Sequence, residues 1–280
     1  MLDMKKTFKL ADQTAINRLG YGAMQLTGPG VFGEAIDRAG AIELLKTVVA
    51  QGINFIDTAD SYGPHTNETL IADALFPYRE KKLVIATKGG FERPGPDQWK
   101  VNGHPDYIRK AIEGSLKRLR VDSIDLWQLH RVDTTIPLEE TLSPVLDAVK
   151  AGKIKHIGLS EVSIEQIERA QKIVPIVSVQ NLYNLEDLQW DAVVDYTHKH
   201  RIAFIPWFPL GSGPSKFSGA IHQIAKAHQA STAQIALAWL LKRSDNILLI
   251  PGTKSIPHLL ENLEAFKIEL SEEEFQQLYK

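Results

Sequence analysis

Short apolar, β-branched runs alternate along this chain with stretches whose apolar residues recur every three or four positions. The runs Ile53–Ile56, Leu83–Thr87, Ile124–Leu129, Ile154–Leu159, Val177–Gln180, Ile202–Pro206 and Ile247–Ile250 have the length and composition of strands. Between and after them, 67–75, 106–119, 138–151, 163–174, 187–200, 219–229, 232–242 and 256–266 read as helices. In 106–119, Ile108, Ile112, Leu116 and Leu119 share one face, Gly152 stops the helix 138–151, and Ser231 is placed to cap 232–242. At the front, Ile16–Gly22 predicts the first strand and 38–50 its helix. Phe8–Ala15, turning at Asp12-Gln13, predicts a small hairpin closing the floor of the fold.

This makes eight strand-plus-helix units. Alternating βα units predict a parallel sheet, and eight of them predict a closed (β/α)8 TIM barrel. The chain shows no internal repeat, low-complexity tract or linker, so a single domain over residues 1–280 is expected. An open doubly wound sheet is the alternative. It requires a glycine-rich phosphate loop after the first strand, and Gly20-Tyr21-Gly22-Ala23-Met24 lacks the GxGxxG spacing.

In such a barrel the active site lies at the C-terminal ends of the strands. Asp57, Lys88, His130 and Gln180 each close a predicted strand, and Tyr62 follows in the loop after Asp57. Each has an ordinary structural reading alone: a loop cap for Asp57, a solvated amine for Lys88, a core histidine for His130, a packed rim aromatic for Tyr62. Together they form a proton-transfer set. Tyr62 is the candidate general acid, with a lysine ammonium expected to lower its pKa from the usual value of about 10. Asp57 pairs with Lys88, and neutral His130 orients a carbonyl oxygen.

Composition narrows the function further. A formal net charge of −2 offers neither a nucleic-acid surface nor an acidic tail. The count of 0 cysteines excludes disulfides, thiolate chemistry and cysteine metal sites. The first ten residues contain no apolar signal core. The longest apolar run, Ile235–Leu241, is far too short to span a bilayer. A cytoplasmic protein without membrane or nucleic-acid partners is expected, as a monomer or weak homo-oligomer. His198 and His200 would not share a helix face, so no metal is expected, and the sequon Asn67-Glu68-Thr69 reads as chance.

The segment Asp57-Thr58-Ala59-Asp60-Ser61-Tyr62-Gly63 resembles the signature of the aldo-keto reductase superfamily. Further matching stretches follow in order: Ala86–Gly89, Asp125–His130, Gly158–Ser160, Gln180–Asn184, and Ile250–Lys254 continuing to Glu261-Asn262. The resemblance implies an (α/β)8 barrel, metal-free NAD(P)H dependence, and a catalytic tetrad of Asp57, Tyr62, Lys88 and His130. It implies that Ser160, Gln180 and Glu161 meet the nicotinamide carboxamide, although many relatives have asparagine in place of Glu161. Trp207 would stack on the ring, and Gly22, Met24 and Asp57 would lie beside the cofactor. Phe208, Pro209, Leu210, Gly211 and Ser212 would follow the pyrophosphate. Gly252, Thr253, Lys254, Ser255, His258, Glu261 and Asn262 would hold the adenosine end, where a helix start suits a phosphate. His258 stands where many relatives have arginine and is a pH-dependent partner. With Lys254 and Ser255 beside it, NADPH is expected in preference to NADH, with NADH also accepted.

The stretch 18–33 and Ile247–Thr253 are similar to a bacterial branch that includes pyridoxal reductases, so pyridoxal or another small aldehyde is an expected substrate. Phe32, Trp99, Arg131 and Trp207 are candidate pocket walls; rim packing is an equal reading for Phe32 and Trp99. The long C-terminal substrate loop of the mammalian branch has no counterpart after 271–280, which implies an open site. Two other functions remain at this point. A strand-end lysine can form an imine, which would make Lys88 an aldolase nucleophile. A cofactor-binding barrel can also serve as a sensing subunit without turnover.

Overall fold

The computed structural model describes residues 7–11, 14–211, 213, 217 and 219–279. Strands β1 (Thr7–Leu10) and β2 (Thr14–Asn17) pair antiparallel, with Thr7 opposite Asn17. The expected turn at Asp12-Gln13 lies outside the described residues. The chain then alternates β3 (Tyr21–Gly22), α1 (Arg38–Ala50), β4 (Phe55–Asp57), α2 (Thr66–Leu75) and β5 (Val84–Gly89). A short antiparallel hairpin of β6 (Phe91–Glu92) and β7 (Lys100–Val101) precedes α3 (Pro105–Leu119). The alternation resumes with β8 (Ile124–Leu129), α4 (Leu138–Lys150), β9 (Ile154–Ser160), α5 (Ile164–Gln171), β10 (Ile176–Gln180), α6 (Asp191–Lys199) and β11 (Ala203–Phe204). Helices α7 (Ala220–Ala227), α8 (Thr232–Arg243), α9 (Ile256–Leu263) and α10 (Glu272–Leu278) complete the described chain.

Seven parallel strands form one curled sheet in the order β3-β4-β5-β8-β9-β10-β11. The eighth expected strand, Ile247–Ile250, is an irregular segment with isolated bridges. It meets β11 through Phe204–Ile247 and the front of the chain through Leu19–Leu249. Its backbone bonds run from Leu248 N–H to Phe204 O (2.8 Å) and from Gly20 N–H to Leu249 O (2.7 Å), joining both edges of the sheet. The expected first strand, Ile16–Gly22, is divided between β2 and β3. The physical reason is Arg18, which is 3% exposed and donates to Ile247 O (3.1 Å) and Ser244 O (2.6 Å), so the chain bends there to satisfy a buried guanidinium.

The two-residue alternation of strands sorts the core. Phe55, Val84, Ala86, Leu126, Ala203, Ile205, Leu248 and Ile250 cluster on the inner side of the curled sheet, and Leu10 and Ile16 of the hairpin pack into the same cluster. Trp127, Leu129, Ile157, Leu159 and Val179 instead pack outward against helices. Helices α5, α8 and α10 each start with a serine capping box, at Ser163, Ser231 and Ser271. Residues 187–190, expected as the first turn of a helix, remain outside α6, because Asn184 and Asp187 exchange backbone bonds at 3.1 Å in a tight turn.

Candidate active site

Continuing the inner alternation by one step places polar groups above the apolar interior. Asp57 ends β4, Lys88 follows Ala86 on β5, and Gln128 follows Leu126 on β8. Lys88 pairs in register with Gln128, Gln128 with Gly158, and Gly158 with Ser178. Gly158 is required for this close layer, since a Cβ there would stand 2.0 Å from Ser178 Oγ. With that space free, Ser178 Oγ donates to Gln128 Oε1 at 3.3 Å and turns the Gln128 amide toward Asp57.

Lys88 is fully buried and uses all three of its N–H donors. They reach Asp57 Oδ2 at 2.5 Å, Thr58 O at 2.8 Å and Tyr62 Oη at 3.3 Å. Asp57 Oδ1 accepts from Gln180 Nε2 at 3.0 Å and Gln128 Nε2 at 3.2 Å. Burial disfavours the Lys88 ammonium, but Asp57 and Tyr62 outweigh it and hold its pKa above the ordinary value. Burial likewise raises the Tyr62 pKa, against a lowering by Lys88. The expected net lowering of Tyr62 is therefore reversed, because a phenolate loses more hydration than one ammonium at 3.3 Å returns.

His130 follows the end of β8 and packs edge-on to Tyr62, with ring centres 5.9 Å apart. Burial, together with Lys88, Arg131 and Arg93, drives its pKa well below the ordinary value. Ser61 Oγ lies 3.3 Å from its Nδ1. The loop carrying Tyr62 is itself anchored by Asn67, which is fully buried and donates to Ala23 O and Leu26 O, both at 3.0 Å. This sequon asparagine is a structural tie.

These groups open on a cavity of about 1010 Å³, at the upper end of the size range of ligand sites. Of the expected residues, Tyr62, His130, Asp57, Gly22, Met24, Ser160 and Gln180 line its deep end with the walls Trp99, Arg131 and Trp207. Phe208, Pro209, Leu210 and Gly211 line one side, and Gly252, Thr253, His258, Glu261 and Asn262 line the far end at the start of α9. Ser212 lies outside the described residues. Lys88, fully buried behind Asp57 and Tyr62, and Phe32, Glu161, Lys254 and Ser255 are not among the lining residues. Ser255 caps α9, with its hydroxyl accepting from His258 N–H, and Lys254 is exposed just before it. Glu161 turns its carboxylate away: Oε1 accepts from Leu182 N–H at 2.5 Å and from the Trp207 indole N–H at 2.6 Å.

Arg93 was not legible as a site residue from sequence. It donates to Gln98 O (2.8 Å), Val31 O (2.9 Å), Ser61 O (2.8 Å) and Gly30 O (2.7 Å), and stacks 3.6 Å from the Trp99 ring centre. It thereby ties the loop at 30–31, the Tyr62 loop and the β6–β7 hairpin together. Phe91 on β6 completes the aromatic wall, 4.7 Å from the His130 ring.

The cavity fits a long, mixed-character ligand such as a nicotinamide dinucleotide. It runs from an amide-and-hydroxyl end at Gln180 and Ser160 to the start of α9, where Pro257 has no N–H and the Ser255 hydroxyl takes that of His258, so the helix start offers an anion fewer free donors than expected. Among the described residues no group of three or more His, Asp or Glu could hold a metal, and no helix is long and apolar enough to cross a membrane.

Comparison with known proteins agrees with this fold. The chain is 44% identical to pyridoxine 4-dehydrogenase of Escherichia coli over 273 residues, 95% of each chain. A thermostable aldo-keto reductase solved with the inhibitor epalrestat superposes with a TM-score of 0.86 at 32% identity, covering 97% of this chain and 98% of its own. An aldo/keto reductase from Klebsiella pneumoniae, solved with NADP and acetate, gives a TM-score of 0.81 at 26% identity, covering 98% and 94%. Residues 18–280 match the aldo/keto reductase family, to which this chain belongs.

Proposed function

We propose that the protein, one (β/α)8 barrel domain with 247–250 as its eighth stave, reduces small aldehydes or ketones with NADPH, using Tyr62 as the acid. The observation that carries this reading is the threefold use of the Lys88 ammonium. Because Tyr62 Oη accepts from Lys88 Nζ, its own proton is free to point into the cavity. A bound nicotinamide supplies the hydride, and the protein supplies position and proton. A substrate carbonyl oxygen seated between Tyr62 and His130 takes the Tyr62 proton as charge develops on it. Lys88 then faces a phenolate in place of a phenol, and Asp57, held by two amides, keeps the ammonium charged throughout. In the tautomer with its proton on Nε2, which the Ser61 hydroxyl 3.3 Å from Nδ1 can hold by donating to it, the imidazole offers a neutral donor to the same oxygen.

The imine alternative requires a free amine, whereas Lys88 is paired with a carboxylate and raised in pKa. The relative that acts as a pyridoxine 4-dehydrogenase supports pyridoxal as the first substrate to try. Relatives solved with NADP and with NADPH support the cofactor. The test is a fluorescence titration with NADPH and NADH, followed by absorbance assays on pyridoxal and simple aromatic aldehydes. Tight NADPH binding with consumption on aldehydes is expected. Absence of binding by either nucleotide refutes the reductase reading, and binding without turnover favours a sensing role.

A further inference from the structure

Two arginines pack against the aromatic walls of the cavity, and they are employed differently. Arg93 places all its bonded nitrogens on backbone carbonyls and is a structural clamp. Arg131 directly follows His130 and lines the cavity. Its Nη1 donates to His130 O at 2.6 Å and to Ser160 Oγ at 3.0 Å. Its Nε and Nη2 have no hydrogen-bond partner among the described residues, and no carboxylate there lies within ion-pair distance. Glu161 acts on it only through space, since the Glu161 carboxylate is held by Leu182 N–H and the Trp207 indole. The guanidinium is flanked by two rings, Phe91 at 5.5 Å and Trp207 at 5.7 Å. Both rings lie within cation–π range of the guanidinium charge and form an apolar frame around it. A guanidinium edge presents paired donors that match a two-oxygen anion or a single oxyanion better than any neutral group. Arg131 lines the same cavity as Tyr62 and His130, between which the carbonyl is proposed to sit.

We propose that Arg131 is a specificity residue that receives an anionic oxygen carried next to the substrate carbonyl, so that the enzyme selects charged aldehydes over neutral ones of the same shape. The proposal rests on the reductase reading above and names its substrate class. The shared chemistry has two sources: a carboxylate beside the carbonyl, or the ring oxide of a hydroxypyridine aldehyde. Two matched pairs separate them, 2-carboxybenzaldehyde against its methyl ester, and pyridoxal against its 3-O-methyl ether.

The experiment measures kcat/KM for each pair with the NADPH-loaded enzyme, in the wild type and in Arg131→Gln and Arg131→Lys. A charge-assisted bond predicts a preference of about tenfold for the anionic member in the wild type. That ratio falls to about unity in Arg131→Gln and is partly restored in Arg131→Lys, which keeps the charge without the planar fork. A preference in only one pair supports the proposal and identifies the source of the anion. Reading the ratio separates recognition from general damage, because a merely structural role for Arg131 lowers both members alike. Should Arg131→Gln fail to fold, the wild-type ratio and Arg131→Lys still decide. Turnover of both members without preference, or a preference unchanged by the substitutions, overturns this proposal and leaves the reductase reading standing. No turnover of any aldehyde overturns both.

Discussion

Replacing Lys88 by methionine keeps the length of the side chain and deletes its charge. Asp57 is 2% exposed, so its carboxylate then stays buried without a counter-ion. Removing one partner of a buried ion pair costs about 3–5 kcal/mol. Asp57 retains the Gln180 and Gln128 amides at 3.0 and 3.2 Å, which places the expected loss at the lower end, about 3 kcal/mol. For a chain of this size each kcal/mol shifts the thermal midpoint by about 2–4 °C, so Lys88→Met is expected to melt about 6–12 °C lower. The double variant Asp57→Asn/Lys88→Met removes the stranded charge and recovers about half of that loss or more. Circular dichroism melts and urea titrations at pH 7 measure both. The pH dependence has a definite sign. The Lys88 pKa is raised in the folded protein, so the pair's contribution is complete below the unfolded lysine value of about 10.4 and is lost as pH rises through the folded value. A Lys88→Met variant within about 1 kcal/mol of the wild type at pH 7 would refute the charged pair at the heart of the site.

Tyr62→Phe removes the acid and nothing that holds a cofactor; turnover is expected to fall about 10²–10⁴-fold with NADPH affinity retained, and near-normal turnover excludes Tyr62 as the donor. His130 has a folded pKa well below its ordinary value, so the unfolded chain takes up a proton near pH 6.5 that the folded one refuses. Stability should fall below that pH by up to about 1.4 kcal/mol per unit, and His130→Gln should flatten the urea midpoint between pH 7 and 5; equal slopes exclude the effect. Lys254→Ala is expected to weaken NADPH by up to about fivefold and NADH less, as for one exposed ion pair, and equal weakening in fluorescence titration shows that Lys254 does not read the 2′-phosphate. Arg93→Met strips four backbone carbonyls of a charged donor, each such bond being worth about 1.5–3 kcal/mol; faster limited proteolysis within 91–101 is expected, and unchanged nicking rates count against the clamp.

What could be read in advance followed from periodicity and from a local signature. The alternation of apolar runs placed Asp57, Lys88, His130 and Gln180 at one rim, because equivalent positions in successive βα units share one end of the sheet. The aldo/keto reductase likeness then supplied roles for residues that no spacing rule distinguishes. Three features lay beyond such reading, for one reason. The Arg93 clamp, the turn of Glu161 toward Trp207, and the Gln128–Ser178 contact over Gly158 are side-chain bonds between distant segments, with no periodic trace. The β6–β7 hairpin leaves no periodic pattern in the sequence, because its strands span only Phe91–Glu92 and Lys100–Val101, with glycine and proline between. The Tyr62 pKa lies above its ordinary value, opposite to the expected direction, because sequence shows the neighbouring charge but not the depth of burial.

The Arg18 guanidinium has a consequence for how the chain comes to be folded. It spans 223 to 229 residues of sequence to reach the carbonyls of Leu241, Ser244 and Ile247. Loop closure over such a length is entropically costly and comes late. During synthesis, the first strand therefore waits beside an unpaired sheet edge until almost the whole polypeptide has emerged. A chain shortened before Ser244 would keep every residue of the tetrad and still expose that edge, which makes aggregation its expected fate.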